Sequence, residues 1–145
     1  MKNLLGIIIG VSSLMMFGSC SSSNSVVKQN EMDKTKLYES KWFLSSINGK
    51  EVQYDGENFA QLNFDKTSMD KVSGNTGCNV LNGTISVMDK SIKFSNIATT
   101  RMACRNNVET DFLSVLNRAD SWSIMNNELM LKMGNTVLAT LNGVS

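Results

Sequence analysis

Short runs in which apolar and polar residues alternate recur along most of the chain and predict β-strands. In residues 59–64, Ala60, Leu62 and Phe64 fall on one face of an extended backbone, and the aromatic and β-branched content of residues 42–47 predicts a further strand. Residues 84–87 and 91–94 alternate in phase on either side of a short polar turn, which predicts a hairpin. The dipeptide Asn48-Gly49 tolerates positive φ at both positions and predicts another hairpin turn.

Counted together, these runs predict about eight short strands, most of them connected by hairpins. Strands and helices do not alternate, so the pattern does not favour a parallel sheet. We therefore expect a mainly β domain in which a small antiparallel sheet curls into a barrel-like shape, with one packed α-helix. The further strands are expected at residues 50–54, 121–125, 128–133 and 136–141.

One segment, residues 107–119, has the spacing of an amphipathic helix. Its apolar residues recur at intervals of three and four and form a single stripe, namely Val108, Phe112, Val115, Leu116 and Ala119. Asn106 precedes Glu109 by three residues and resembles the start of a capping box.

The amino terminus has the pattern of a secretory signal. Its apolar run, residues 4–17, would span about 21 Å as a helix, which is short of a hydrocarbon core of about 30 Å. One lysine precedes the run, and Gly18-Ser19-Cys20 follows it. This ending resembles a bacterial lipobox, so we expect cleavage after residue 19 and acylation of Cys20. The alternative is an ordinary signal, cleaved nearby, that leaves Cys20 as a free thiol.

Residues 20–36 are mostly polar and are expected to form a flexible tether. Val26, Val27 and Met32 are their only aliphatic residues, too few to offset the entropy of ordering the segment. The remaining residues, 37–145, are of a length typical of one domain.

The charge balance argues against a nucleic-acid partner. Loss of residues 1–19 removes Lys2 and no acid, which leaves 13 basic residues (14 minus one) and 13 acidic residues. A chain without net charge exerts no long-range attraction on nucleic acid. We therefore expect the membrane contact to be the lipid on Cys20.

The choice of catalytic and metal-binding residues is limited because the chain contains no histidine. This excludes Ser-His-Asp and Cys-His catalysis and removes the commonest zinc ligand. Cys78 and Cys104 do not complete a tetrahedral metal site by themselves, and neither lies in a C-x-x-C motif. In an oxidising compartment we interpret them as a structural disulfide, with a thiolate or metal role as the alternative. No cofactor is expected.

The segment around Cys78 is rich in glycine and asparagine and predicts turns. Gly74, Gly77 and Gly83 lack the Gly-Lys-Ser/Thr of a phosphate-binding loop, so tight turns or close backbone approaches explain them better. The asparagines at positions 75, 79 and 82 are expected to bond their own backbone in Asx-turns. The alternative is an exposed polar recognition loop. Near Cys104, Arg101 and Arg105 could bind an anion or pair with local acids.

These motifs together resemble the META/HslJ family of bacterial envelope proteins. The specific part is a Gly-x-x-Gly-Cys-Asn motif at residues 74–79 together with a Thr-x-Met-Ala-Cys motif at residues 100–104. The resemblance covers residues 41–141 and implies a compact, mainly β domain with one packed helix, no established catalytic activity and links to heat-shock or stress responses. It supports the pairing of the two cysteines, and it marks as signature positions Gly74, Gly77, Asn79, Gly83, Thr100, Met102 and Ala103.

Two functions are compatible with this sequence. The first is a non-enzymatic lipoprotein, anchored on the periplasmic face of a bacterial membrane, that binds another envelope protein under stress. The second is a carrier of a small hydrophobic ligand, because a curled antiparallel sheet can enclose a cavity. Against a carrier, the large residues of the domain are sufficient to fill a small interior, namely Trp42, Phe43, Phe59, Phe64, Phe94, Phe112 and Trp122.

Overall fold

Nine strands form one antiparallel sheet in residues 22–145, which are the residues that the computed structural model describes. In chain order the elements are α1 (Ser22–Glu39), β1 (Lys41–Ile47), β2 (Lys50–Glu51), β3 (Ala60–Phe64), β4 (Lys71–Thr76), β5 (Val80–Met88), β6 (Ser91–Thr99), α2 (Val108–Arg118), β7 (Ser121–Met125), β8 (Glu128–Met133) and β9 (Thr136–Val144). The predicted mainly β, antiparallel class is confirmed.

The sheet closes on itself through its first and last long strands. β1 pairs with β3 on one side and with β9 on the other, so that Lys41 lies opposite both Asn63 and Val144. Eight strands therefore form a ring, and β2 extends it by pairing with the end of β1. The narrowest junction joins β6 to β7 through one residue pair, Ser91 and Ser121.

The predicted hairpin turns are present where the sequence places residues that tolerate positive φ. Asn48 and Gly49 have φ values of 50° and 74° and connect β1 to β2. At the β5–β6 hairpin, Ile85 lies opposite Phe94, as the in-phase alternation predicts.

The interior of the ring is filled with apolar side chains. The largest fully buried residues are Trp42, Trp122, Phe112, Leu37, Leu62, Leu81, Ile92, Leu116, Leu129, Leu131, Leu138 and Leu141. Two aromatic residues expected in the core lie elsewhere, because Phe59 is 48% exposed before the start of β3 and Phe43 points away from the core as a half-buried residue of β1. The rings of Tyr54 and Phe59 pack edge to face, with their centroids 5.1 Å apart.

Helix α2 packs its predicted apolar stripe against the sheet. Phe112, Val115 and Leu116 are buried. The predicted capping box is absent: the N-cap residue is Asn107, whose side chain makes no cap bond, and the carboxylate of Glu109 is used elsewhere. Asn106 instead accepts a bond from the backbone N–H of Val108 at 3.2 Å.

Residues 22–36, which are expected to form a flexible tether, lie in helix α1 of the structure. The segment contains neither glycine nor proline, so nothing in its backbone chemistry interrupts a helix. Its carboxyl-terminal half is fixed by the domain: Leu37 is fully buried, and its carbonyl accepts a bond from the indole Nε1 of Trp42 at 2.9 Å. The ordering entropy is offset by this docking, although Val26, Val27 and Met32 are all exposed.

A buried carboxylate adds a polar contact between α1 and the sheet. Asp33 is 8% exposed and forms an ion pair with Lys90 at 2.5 Å. The ammonium of Lys90 also lies 4.8 Å from the ring centroid of Trp122, a cation–π distance. The docked helix is therefore part of the folded domain.

The predicted signal, residues 1–19, and the predicted lipidation site, Cys20, lie outside the described residues. Within the described part of the chain, no helix is both long and apolar enough to cross a bilayer.

Candidate functional site

The predicted disulfide joins the β4–β5 turn to the segment that precedes α2. Cys78 and Cys104 are bonded, with their Cα atoms 5.8 Å apart. Both are partly exposed. The disulfide therefore connects residues 77–79 with residues 100–104 at the surface, next to the first turn of α2.

Asn79, the residue after the first cysteine, organises the polar contacts beneath this disulfide. It is 1% exposed. Its Oδ1 accepts bonds from the hydroxyl of Thr100 at 2.9 Å and from the backbone N–H of Met102 at 2.8 Å. Its Nδ2 lies 3.2 Å from the carbonyl oxygen of Met102. The side chain thereby fixes a segment that has no regular secondary structure of its own.

The same amide group also holds the carboxylate of α2. Nδ2 of Asn79 lies 3.1 Å from Oε1 and 2.9 Å from Oε2 of Glu109, and the hydroxyl of Thr76 donates to Oε2. Glu109 occupies the first turn of α2, where the helix dipole favours a negative charge. The carboxylate is therefore stabilised by neutral donors and by the helix; none of the ion pairs in residues 22–145 involves it.

The turn that presents Asn79 is closed by its own hydrogen bonds. The backbone N–H of Thr76 donates to the carbonyl of Asn79 at 2.8 Å, and the N–H of Asn79 donates to the hydroxyl of Thr76 at 2.9 Å. Gly77 has a φ of +89°, which a residue with a side chain rarely adopts. Its N–H donates to Oδ1 of Asn75 at 2.7 Å, so the predicted Asx-turn is present at Asn75.

The other predicted turn residues have different roles. Gly74 and Gly83 lie within β4 and β5, so the prediction of turns there is wrong, whereas the prediction of a close backbone approach is confirmed. A Cβ at Gly74 would lie 1.9 Å from the carbonyl oxygen of Gln61, and one at Gly83 would lie 2.4 Å from Ile97. Asn79 makes tertiary contacts instead of an Asx-turn and is buried, which also excludes it from an exposed recognition loop.

Several exposed residues of the segment before α2, together with Val80 at the start of β5, flank this network. We define the Met102 patch as Val80, Arg101, Met102, Ala103 and Arg105, all of which are exposed. Met102 is 61% exposed and Val80 is 50% exposed. The backbone of Val80 is fixed by Thr100: the N–H of Val80 donates to the hydroxyl of Thr100, and the N–H of Thr100 donates to the carbonyl of Val80. This surface, rather than the buried amide cluster, is available to another molecule.

Sequence reasoning missed the parts played by Thr76 and Glu109. The sequence predicts a capping role for Glu109, and Thr76 is one of several polar residues in a glycine-rich segment. The available signal was the Thr-x-x-Asn spacing at residues 76–79, which permits the two reciprocal bonds of the turn.

The two cysteines and Glu109 also include the donor types of a metal site. Both Sγ atoms and a carboxylate oxygen of Glu109 lie within 4.8 Å of one another. In the disulfide form the sulfurs are bonded to each other, so this geometry is that of a structural crosslink.

Comparison with known proteins decides the family. The family model of the META domain matches residues 35–143. The chain belongs to the META domain family. No curated protein matches it. The family match begins within α1 and ends within β9, so it includes the whole ring of strands.

Solved structures share the fold of this META domain. A protein from Burkholderia xenovorans, solved by NMR, has a TM-score of 0.62 and 21% identity over 77% of this chain and 86% of its own. A second NMR structure has a TM-score of 0.60 and 23% identity over 75% of this chain and 92% of its own. A DUF4847 family protein from Bacteroides vulgatus has a TM-score of 0.54 and 14% identity, covering 73% and 93% of the two chains. At these identities the likeness is one of fold.

Proposed function

We propose that this META protein is a non-enzymatic lipoprotein of the bacterial envelope that binds another protein through the Met102 patch. The observation that carries the proposal is the exposed apolar side chain of Met102, on a segment without regular structure that the buried side chain of Asn79 fixes. A surface that is already ordered loses little conformational entropy when it binds.

The composition of the patch favours a protein partner with an apolar contact and an acidic border. Met102 and Val80 supply apolar area, and the flexible side chain of methionine is common at binding surfaces. Arg101 and Arg105 supply the border, and arginine is enriched in protein interfaces. The polar groups beneath the patch argue against catalysis, because the hydroxyl of Thr76 is fully buried and donates to the carboxylate of Glu109.

Site-specific crosslinking in intact cells tests the patch. A photoreactive amino acid replaces Met102 in one strain and Met125 in another, because both side chains are 61% exposed. We expect a discrete crosslinked product from position 102 and none from position 125. The charge reversals Arg101→Glu and Arg105→Glu should suppress that product. Equal crosslinking from both positions, or a product that survives the charge reversals, contradicts the proposed surface.

Membrane attachment is tested separately at the proposed lipidation site. The Cys20→Ser variant should move from the membrane fraction to the soluble envelope fraction while keeping the melting temperature of the wild type. Retention of this variant in the membrane would contradict a lipid anchor on Cys20. A stress role predicts that the crosslink at position 102 increases after heat shock, measured at equal amounts of protein.

The alternative function, a carrier of small hydrophobic ligands, has no comparable support. The ring is filled by buried side chains that include both tryptophans, Phe112 and several leucines. Lipid found by native mass spectrometry in the purified protein would favour the carrier.

A further inference from the structure

Three side chains with metal-binding atoms converge beside the Met102 patch. Cys78 comes from the β4–β5 turn, Cys104 from the segment before α2, and Glu109 from the first turn of α2. Their donor atoms lie within 4.8 Å of one another. We propose that reduction of the Cys78–Cys104 disulfide converts this crosslink into a zinc site in which the two thiolates and Glu109 bind one Zn²⁺.

The donor set matches the chemistry of zinc. Thiolate sulfur binds Zn²⁺ at about 2.3 Å and carboxylate oxygen at about 2.0–2.2 Å, and three protein ligands leave one tetrahedral position for water. Two bound sulfurs can remain close in space, so the exchange of an S–S bond for two Zn–S bonds requires only local movement. The partial exposure of both cysteines gives a reductant and a metal ion access to the sulfurs.

The reaction balances with a dithiol reductant. The dithiol supplies two electrons and two protons, is itself oxidised to a disulfide, and leaves Cys78 and Cys104 as thiols. Zn²⁺ then displaces the two thiol protons, because the thiolate is the form that binds metal. The overall exchange therefore releases two protons for each zinc ion bound.

The outer hydrogen-bonding shell of such a site is already in place. Nδ2 of Asn79 lies 3.4 Å from Sγ of Cys104, 3.7 Å from Sγ of Cys78 and 2.9 Å from Oε2 of Glu109. One buried amide group therefore faces all three ligands, and such donors orient ligands and stabilise their negative charge. Asn79 is also held through Oδ1 by Thr100 and Met102, in contacts that are separate from the disulfide bond itself.

The charge of the reduced cluster also favours a dication. Two thiolates and a carboxylate would place three negative charges within a few ångströms, and the ion pairs of the described residues supply no cation to Glu109. Bound Zn²⁺ would neutralise two of these charges. It would also continue to connect residues 77–79 with residues 100–104, so the Met102 patch would remain ordered under reducing conditions.

Zinc binding to the full chain in a Cys20→Ser background, where Cys78 and Cys104 are the only thiols, tests the proposal. The probe is Zn²⁺ in competition with a chromophoric chelator, before and after reduction by a dithiol. We expect one zinc ion per reduced chain, two protons released for each ion, and no binding to the oxidised chain. X-ray absorption of the complex should show two sulfur neighbours at about 2.3 Å and lighter neighbours at about 2.0 Å.

Variants separate the three ligands from general folding effects. Cys104→Ser should abolish stoichiometric binding, and Glu109→Gln should weaken binding at least about tenfold. Asp111→Asn is the matched control, since Asp111 lies exposed in the same helical turn, and should bind zinc like the parent. If Glu109→Gln fails to fold, the sulfur count of the parent and the effect of Cys104→Ser still decide whether the two cysteines bind zinc. Absence of zinc from the reduced chain, a four-sulfur environment, or binding unchanged by Cys104→Ser would overturn the proposal.

Discussion

The side-chain amide of Asn79 lies within 3.1 Å of both carboxylate oxygens of Glu109, although thirty residues separate them along the chain. This contact joins the β4–β5 turn to helix α2, while the other end of the same amide holds Thr100 and Met102. Three parts of the chain therefore meet at one buried side chain.

Asn79→Ala should lower the free energy of unfolding by more than about 3 kcal/mol, because it leaves several buried polar groups without partners. Asn82→Ala is the matched control, since Asn82 is exposed in β5 only three residues away, and should change stability by less than about 0.5 kcal/mol. Urea denaturation of both variants measures the difference. Similar losses in the two variants would contradict an organising role for Asn79.

Removal of the disulfide should destabilise the oxidised domain. The cysteines are 26 residues apart, and the chain-entropy relation gives about 3 kcal/mol for a loop of this size. The double variant Cys78→Ser/Cys104→Ser avoids a lone thiol and should melt at a lower temperature than the oxidised wild type. Wild type that is reduced in the presence of a chelator should melt close to the double variant. An unchanged melting temperature in oxidising buffer would show that the crosslink does not stabilise the fold.

Helix α1 should contribute to the stability of the domain although its sequence is mostly polar. Leu37 is fully buried, so Leu37→Ala should cost about 2–5 kcal/mol through lost burial and a residual cavity. Val27→Ala, on the same helix at a residue that is 62% exposed, should have little effect. Thermal unfolding distinguishes the two. Equal, small effects would indicate that α1 is not part of the cooperative unit.

Stability should fall as the pH rises from about 10 to 12. Burial raises the pKa of Tyr54 from its ordinary value of 10.0 to about 12, and its hydroxyl donates to the carbonyl of Leu44 at 2.8 Å. In this interval the unfolded chain loses the phenolic proton while the folded chain keeps it, so the free energy of unfolding decreases with pH. Below about pH 10 the contribution is fully present.

Tyr54→Phe should make that decline shallower, as measured by urea denaturation at pH 9, 10, 11 and 12. The decline should not vanish, because burial also raises the pKa of Tyr38. Tyr38→Phe should account for part of the remaining slope. Identical pH profiles for wild type and Tyr54→Phe would rule out Tyr54 as a cause.

Local sequence chemistry predicted most of the sheet because strands and tight turns are determined by neighbouring residues. The alternation around Ile85 and Phe94 and the Asn48-Gly49 dipeptide both led to the observed hairpins. The cysteine pair could be predicted as well, since the predicted domain contains only these two cysteines and each is the other's one available partner.

Tertiary contacts account for what the sequence did not reveal. The docking of α1 depends on Leu37 meeting Trp42, and the low apolar content of the segment gave no sign of it. The pairing of Asn79 with Glu109 depends on the fold that brings them together, and each residue also has an ordinary local explanation. At Gly74 the sequence predicts a close backbone approach, but not its partner, the carbonyl of Gln61 on the neighbouring strand.

The position of β1 between β3 and β9 determines how the domain responds to mechanical load. A pull transmitted along α1 enters the sheet at Lys41, on a strand that is hydrogen-bonded along both edges. Such a strand has no free edge, so its removal must break the hydrogen bonds to β3 and to β9 together. A protein held at its amino-terminal end would therefore resist extraction by force more strongly than its modest size suggests.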